Sequence, residues 1–398
     1  MSGFQKQDGA PRLTILSPLA PYPPLAGGTA HLAQATQQLA RAYRVRLYAL
    51  SGDPDSVTWG PLAACCESVR AFRRRSRPIS VLAPPAIRQE YSPGLIAHLR
   101  CAWQAEPPDI VQLEFTSMAQ YASFARETGA FVVCTAHNVA FLAQARRARE
   151  QRGLGLRARR WLGVVGLWLY ELRALRRCHL VVVHGEADGD VLHRWLPRLP
   201  IACIPSGIDL KIWRLCFDPC VEDEVLFVGN YLHPPNVEGA LWLVREVWPL
   251  VLRAHPRARL TLAGRAPPPA IQALAGPNIR VPGTVADLRP YYARSSLVVA
   301  PIFWGSGVRI KLLEALACGL PVVTTALAAE GLGLVQDRSA LFAEAPEDFA
   351  GAILHLLDDA ALRAGLGAAG RAVVEQNYDW DHIGARLVAL YEEARSRR

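Results

Sequence analysis

The stretch Pro301-Ile-Phe-Trp-Gly-Ser-Gly-Val-Arg-Ile-Lys-Leu-Leu-Glu-Ala-Leu-Ala-Cys-Gly-Leu-Pro-Val-Val-Thr-Thr325 reads as strand end, glycine loop, helix, helix stop and strand. The run Leu297 to Ile302 is short and apolar, as in a buried parallel strand. Gly305 and Gly307 let the backbone turn sharply and let another group come close. The pattern predicts a helix from near Val308 to Gly319-Leu-Pro321, where glycine followed by proline is a stop signal. Val322 to Thr325 is β-branched throughout and begins the next strand. A glycine loop feeding a helix N-terminus is an anion site, because unpaired N–H groups and the helix dipole point at it. Lys311 and Glu314 lie three apart and share a helical face. That face offers a cation near the anion site and, one turn on, a carboxylate able to accept from two neighbouring hydroxyls. A diphosphate joined to a ribose suits it. The competing reading is an amphipathic helix with a solvent-facing Lys–Glu pair.

A chain of 398 residues is too long for one ordinary core and suits two domains. With 51% hydrophobic and 20% charged residues and no low-complexity tract, it is a folded globular chain. Met1 to Arg12 is polar and lacks an apolar signal core. The run Trp161 to Tyr170 is about half of what a spanning helix needs. The expectation is a cytoplasmic protein, or one resting on the inner face of a membrane. The nine cysteines are scattered, with no paired CxxC framework, so neither zinc nor a disulfide scaffold is expected. Residues 1–205 hold 25 Lys+Arg against 14 Asp+Glu, a net of +11, while the remainder holds 19 against 21, a net of −2. Lysine occurs only at 6, 211 and 311, so Lys311 stands out in an arginine-rich chain.

The first half reads as β–α units. Leu13–Leu16 is a strand, a proline-rich loop leads to Gly27-Gly28, Thr29–Arg41 is a helix, and Val45–Leu50 is the next strand. The unit lacks GxGxxG, which argues against a nicotinamide site. Two further strands, Asp109-Ile-Val-Gln-Leu-Glu-Phe and Phe131-Val-Val-Cys-Thr-Ala-His137-Asn138, end in polar residues. In an open parallel sheet the carboxyl ends of strands line the ligand crevice, which puts Glu114, His137 and Asn138 at a candidate site. A lone histidine is also a common structural residue. Irregular sequence with Pro205, Gly207 and Pro219 reads as a linker, and Val225-Leu-Phe-Val-Gly229-Asn230 opens a second set of strands. Asn236 is the expected N-cap of a long helix to about Ala254.

These segments together resemble family-four glycosyltransferases of the "glycosyl transferases group 1" type, which have the GT-B fold. The matching residues are the Gly305-Ser306-Gly307 loop, Arg309, Lys311, Glu314-Ala, Gly319-Leu-Pro-Val-Val and Glu330-Gly-Leu. Ile204-Pro-Ser-Gly-Ile-Asp209 is similar to the family's crossing between domains, and Val281-Pro-Gly283 to its nucleobase loop. The resemblance implies an α/β fold of two Rossmann-like domains with parallel sheets facing a cleft. Residues 1–205 would form the acceptor domain, 206–223 a linker, 224–370 the nucleotide-sugar domain, and 371–398 a helix returning to the first domain. It implies transfer of a sugar to an acceptor hydroxyl with retention of configuration, without metal or cofactor, as in cell-surface glycan or glycolipid synthesis. The implied catalytic residues are His137, Arg309 and Lys311. The implied donor contacts are Gly27, Gly28, Gly229, Asn230, Val281, Gly283, Gly305, Ser306, Gly307 and Glu314, with Glu114 and Asn138 on the acceptor side. Many members carry two glutamates eight positions apart. Here the second is Glu314 and the first position is Ser306, a departure from the usual carboxylate contact to the donor sugar.

The implied partners are a nucleotide-sugar and a glycan, lipid-linked or small-molecule acceptor. Residues 145–177 add ten arginines against two acids, interleaved with Trp161, Leu162, Val165 and Trp168. That pattern fits an amphipathic helix on an anionic membrane, or a solvated basic face over a core stripe. No nucleic-acid recognition module is present, so that partner is not expected. The alternatives to a transferase are a catalytically silent GT-B protein that binds a nucleotide-sugar or a partner, and an epimerase acting on the donor itself.

Overall fold

Runs of apolar residues without period-two alternation make strands buried on both faces, and such strands form the middle of both sheets. The computed structural model describes residues 9–23, 27–75, 84–150, 153–215, 223–305 and 310–397. They fall into two units, Met1–Pro205 with Ile383–Arg398, and Ser206–His382.

In the first unit the strands are β1 (Arg12–Ser17), β2 (Arg44–Ser51), β3 (Ser68–Arg73), β4 (Ile110–Glu114), β5 (Phe131–Ala136), β6 (Leu180–Val183) and β7 (Ile201–Cys203). They pair in parallel in the order β3-β2-β1-β4-β5-β6-β7. Every residue of β4, β5 and β6 is buried. The chain winds outward from β1 to one edge and then from β4 to the other, so a topological switch falls between β1 and β4. Helix α1 (Gly27–Leu39) follows β1, starting two residues earlier than the sequence pattern predicts. Helices α2 (Ala140–Glu150) and α3 (Leu154–Leu175) connect β5 to β6, and α4 (Glu186–Trp195) precedes β7.

The second unit repeats the plan. Its strands are β8 (Glu224–Asn230), β9 (Arg259–Arg265), β10 (Ile279–Arg280), β11 (Leu297–Ala300), β12 (Val322–Thr324) and β13 (Leu341–Phe342). They pair in parallel in the order β10-β9-β8-β11-β12-β13. The switch point lies between β8 and β11, and the glycine loop follows β11. Helix α5 (Pro234–Trp242) follows β8, α6 (Ile310–Ala317) precedes β12, and α7 (Ala360–Asn377) comes after β13. The expected stop of α6 is present: Gly319 has φ 75° and the Leu320 N–H donates to the Ala315 carbonyl at 3.0 Å.

The expected helix at Asn236 is corrected, and the domain bounds differ from the expected ones. Asn236 is not an N-cap, because the helix begins at Pro234 with His233 at its cap. The run to Ala254 is also interrupted by a π turn over Leu243–Val247 before the helix resumes at Trp248. The passage to the first unit does not begin at residue 371. Arg371 lies inside α7, and its guanidinium donates to the Trp213 carbonyl at 3.1 Å and to the Ala317 carbonyl at the end of α6. These bonds hold α7 to the second unit. The change of unit comes at Ile383, within α8 (Trp380–Ser396). The described part of the expected linker, from Ser206 to Leu215, also belongs to the second unit, where Ile208 pairs with Asp379.

In the first unit the end of α8 closes over the central strand. Tyr391 is fully buried and its hydroxyl donates to Gln112 Oε1 at 2.9 Å, while Tyr43 donates to Glu392 at 2.7 Å.

One backbone contact sets the register of the second sheet. Gly229 of β8 pairs with Gly264 of β9, which has φ 143°. A Cβ on Gly264 would sit 1.8 Å from the Gly229 carbonyl oxygen. Gly264→Ala is therefore expected to cost at least about 3 kcal/mol, from strained backbone and steric overlap together. A urea midpoint within error of wild type would contradict this contact.

Candidate functional site

The second unit gathers its polar groups at the β8–β11 switch. The sequence places Lys311 and Glu314 on one helical face, and the fold turns that face inward. Lys311 Nζ donates to Asn236 Oδ1 at 2.6 Å and lies 4.6 Å from the centre of the Phe227 ring, a cation–π contact. Asn236 Nδ2 donates to the Asn230 carbonyl at 2.9 Å, so α6 is tied through Asn236 to the end of β8. Half-buried Glu314 accepts from the Tyr292 hydroxyl through Oε2 at 2.9 Å. Burial raises its carboxyl to about 7, and this outweighs the Tyr292 hydrogen bond and the Lys311 charge, both of which favour ionisation.

The glycine loop is entered from a fixed point. A Cβ on Gly239 of α5 would sit 2.2 Å from the Pro301 carbonyl oxygen, so only glycine lets the helix pass this close. Trp304 Nε1 donates to Glu238 Oε2 at 2.6 Å just before Gly305. Gly305 has φ 109°. Ser306, Gly307 and Arg309 lie outside the described residues. Gly283 has φ 83°, and its segment is tied to β9 by the Val285 N–H donating to the Gly264 carbonyl at 3.1 Å. Gly229, Asn230, Val281 and Gly283 thus lie at or beside the carboxyl ends of β8, β9 and β10.

The first unit holds a second cluster at the carboxyl ends of β4, β5 and β6. Glu114, completely buried, meets His137 Nε2 at 2.6 Å, and its other oxygen accepts from Gln112 Nε2. The carboxylate at that distance accepts from the ring at Nε2 and fixes the orientation of the imidazole. Phe115 has φ 63°, a sharp turn after β4 that lays its ring on His137 with centres 3.9 Å apart and planes 15° apart. Gly28 faces this pair: a Cβ there would be 3.0 Å from Phe115 and 3.9 Å from His137 Nδ1. Gly27 opens α1. Asn138 is exposed beside His137.

Two further histidines complete the cluster and escape the sequence reading. His31 of α1 lies 5.1 Å from His137 and 4.1 Å from His184, ring centre to ring centre. Burial, and then the neighbouring imidazoles, hold His31 well below its ordinary value. Burial and then His137 lower His184 to about 4. His184 Nδ1 donates to the Ile204 carbonyl at 2.9 Å, and its buried Nε2 has no partner. His184 follows Val183 of β6 as His137 follows Ala136 of β5, so the strand-end rule that selects one also selects the other. Among the described residues no three His, Cys, Asp or Glu side chains come together as metal ligands would.

Known proteins match both halves. The sequence model of Glycosyltransferase Family 4 matches residues 25–212, and that of Glycosyl transferases group 1 matches residues 222–359. The chain is 28% identical over 232 residues to a phosphatidyl-myo-inositol mannosyltransferase of Mycobacterium leprae, covering 55% of this chain and 61% of that protein. It is 27% identical over 209 residues to an uncharacterized 44.6 kDa protein in the cps region of Klebsiella pneumoniae, covering 50% and 52%. These matches thus span about half to three-fifths of the curated relatives' own lengths. Among solved structures, sucrose-phosphate synthase from Thermosynechococcus elongatus superposes with a TM-score of 0.76 at 19% identity, over 97% of this chain and 100% of that one. Anabaena HepE in complex with UDP superposes with a TM-score of 0.68 at 16% identity, over 96% and 100%. The chain belongs to the group 1, family 4 glycosyltransferases, and its two doubly wound parallel sheets are the Rossmann-like domains of the GT-B fold.

The raised carboxyl of Glu314 has a measurable cost. An unfolded glutamate titrates at about 4.3. Below that pH the group is protonated in both states and costs the fold nothing. As pH rises from there to about 7 the unfolded chain releases the proton first, and stability falls until Glu314 ionises in the folded state too. Glu314→Gln removes this loss. It is expected to raise the melting temperature relative to wild type at pH 8 by more than at pH 4. An equal offset at both values would show that the carboxyl is not raised.

Proposed function

We propose that this protein transfers a sugar from a nucleotide-sugar to an acceptor hydroxyl, with retention of configuration and without a metal ion or cofactor. The observation that carries this reading is the Lys311–Glu314 arrangement at the β8–β11 switch, where open α/β sheets bind their ligands. Glu314 would accept from the ribose hydroxyls. Lys311, with Arg309 and the N–H groups of Gly305 to Gly307, would stabilise charge on the departing diphosphate. Gly229, Asn230, Val281 and Gly283 would line the nucleoside, and Ser306 would lie near the sugar. The UDP in the HepE complex supports a nucleoside diphosphate as the donor's leaving group.

In the first unit His137 would take a catalytic role, as the family resemblance implies. Glu114 would fix its tautomer, Gly27 and Gly28 would leave room above it, and Asn138 would meet the acceptor. Glu114 thus acts through His137 in this reading, beyond its expected place on the acceptor side. No general base is assigned, because the leaving phosphate would take the acceptor's proton. The acceptor is a glycan, a lipid-linked sugar or a small molecule. The phosphatidyl-inositol named for the mycobacterial relative supports a lipid-linked one in a cell-surface pathway, with the enzyme peripheral on the inner face of a membrane.

A catalytically silent binding protein is the second reading, favoured by Ser306 at the position where many members carry glutamate. Slow hydrolysis of a bound nucleotide-sugar by purified protein would exclude it. The donor site itself is tested by calorimetry against UDP-, GDP- and ADP-sugars. Glu314→Ala is expected to weaken the best donor by roughly ten- to a hundredfold, from loss of a hydrogen bond to a charged acceptor worth about 1.5–3 kcal/mol. Unchanged affinity would sink the assignment. Lys311→Met is expected to lower kcat more than it weakens donor binding, as for a group that acts on charge developing in the transition state. A loss confined to donor binding would reassign Lys311 to ground-state binding.

A further inference from the structure

Helix α3 presents an apolar stripe to solvent. Leu162, Val165 and Leu169 follow the i, i+3, i+7 spacing of one helical face and are 75%, 48% and 49% exposed. The opposite face, with Val164, Leu167 and Ala174, is buried in the core of the first unit. The stripe continues sideways onto α4, where the ring of Trp195, 45% exposed, meets that of Trp168 edge-on at 5.1 Å. A helix with apolar residues on both its core face and part of its outer face has a second apolar environment to meet.

The surrounding charge says which one. Arg157, Arg159 and Arg173 of α3 are exposed, as are Arg194 of α4 and Arg198 beyond it. The one acid on α3, Glu171, is fully buried and accepts from the Phe141 and Ala140 N–H groups at 2.9 and 3.2 Å. The outer face of α3 therefore carries cations without anions. The acids of α4, Glu186, Asp188 and Asp190, lie in its first half, away from Trp195 at its other end. A second copy of this chain docking on the stripe about a two-fold axis would set arginine against arginine. A nucleic acid would gain nothing from bare aliphatic side chains. An anionic bilayer satisfies both parts: phosphates meet the guanidiniums, the leucines enter the acyl boundary, and tryptophan sits at headgroup depth. No helix among the described residues is long and apolar enough to cross a membrane, so the helix would lie in the interfacial plane.

We propose that the outer face of α3, with Trp195 of α4, is a docking surface for an anionic lipid bilayer. The stripe Leu162–Val165–Leu169 sets the insertion and the flanking arginines set the lipid preference. This rests on the peripheral placement proposed above and names the surface that would make it, while the transfer reaction itself is a separate claim. The test is co-sedimentation of the whole protein with vesicles of phosphatidylcholine alone or mixed with phosphatidylglycerol, alongside light scattering. Wild type is expected to pellet with the anionic vesicles at low salt and to be released by salt. The double variant Leu162→Gln, Leu169→Gln is expected to lose at least about tenfold in partitioning. Its melting temperature should hold, since both side chains are exposed. Arg157→Gln with Arg159→Gln is expected to abolish the preference for anionic lipid.

Three results would overturn the proposal. One is no pelleting at low salt, and another is equal pelleting of wild type and the leucine variant. The third is a concentration-dependent dimer that the leucine substitutions dissolve, which would assign the face to a second copy. Nucleotide binding measured on the same samples separates the two claims, because its absence would count against the transfer reaction alone.

Discussion

The placement of the Lys311 ammonium constrains the rest of the second unit. It is held at 2.6 Å by the Asn236 carboxamide and rests 4.6 Å from the centre of the Phe227 ring. Three elements meet there: α6 supplies the lysine, α5 the amide and β8 the ring. Asn236 then fixes the end of β8 through the Asn230 carbonyl, and Gly239 on the same helix lets the chain after β11 approach closely. The amide and the ring direct the charge without neutralising it. One turn further along α6, burial raises Glu314 to about 7. A cation and a carboxyl group one helical turn apart make a site with two distinct ends.

The first unit solves a different problem with the same topology. Its central strand β4 buries two polar side chains, Gln112 and Glu114, which would be costly without partners. Gln112 is satisfied by Tyr391 from the last helix and by Glu114, and Glu114 by His137. One hydrogen-bonded chain thus runs from the last helix through the sheet to the imidazole at its edge. His31 and His184, held neutral by burial, surround that imidazole without adding charge. Truncating Tyr391 would leave Gln112 short of a partner and loosen the support under His137.

Several strands and their parallel character were legible because parallel strands buried on both faces leave unbroken apolar runs, as at Val225–Val228 and Phe131–Ala136. The stop at Gly319 was legible for a local reason, a glycine at positive φ before a proline. Partnerships made by packing were not legible. Asn236 has the sequence position of a cap, and only the approach of α6 shows that its side chain spans from Lys311 to Asn230. Tyr292, which donates to Glu314 at 2.9 Å, is 22 residues away in sequence and carries no motif. The expected bound at residue 371 follows from the family resemblance, and no local signal in the sequence marks Ile383, where the unit changes, or the bond from Arg371 to the Ala317 carbonyl. His184 follows an apolar strand in the same way as His137, so its position is readable from the same strand-end rule.

The central claim is that the nucleotide end of the substrate binds in the second unit between Lys311 and Glu314. The most direct measurement is a crystal structure with a nucleotide-sugar bound. The account predicts the diphosphate beside Lys311 Nζ and the ribose hydroxyls within hydrogen-bonding distance of the Glu314 carboxyl, with Gly283 beside the base. A nucleotide seated instead against His31 and His184 of the first unit, or one whose ribose lies away from Glu314, would contradict it.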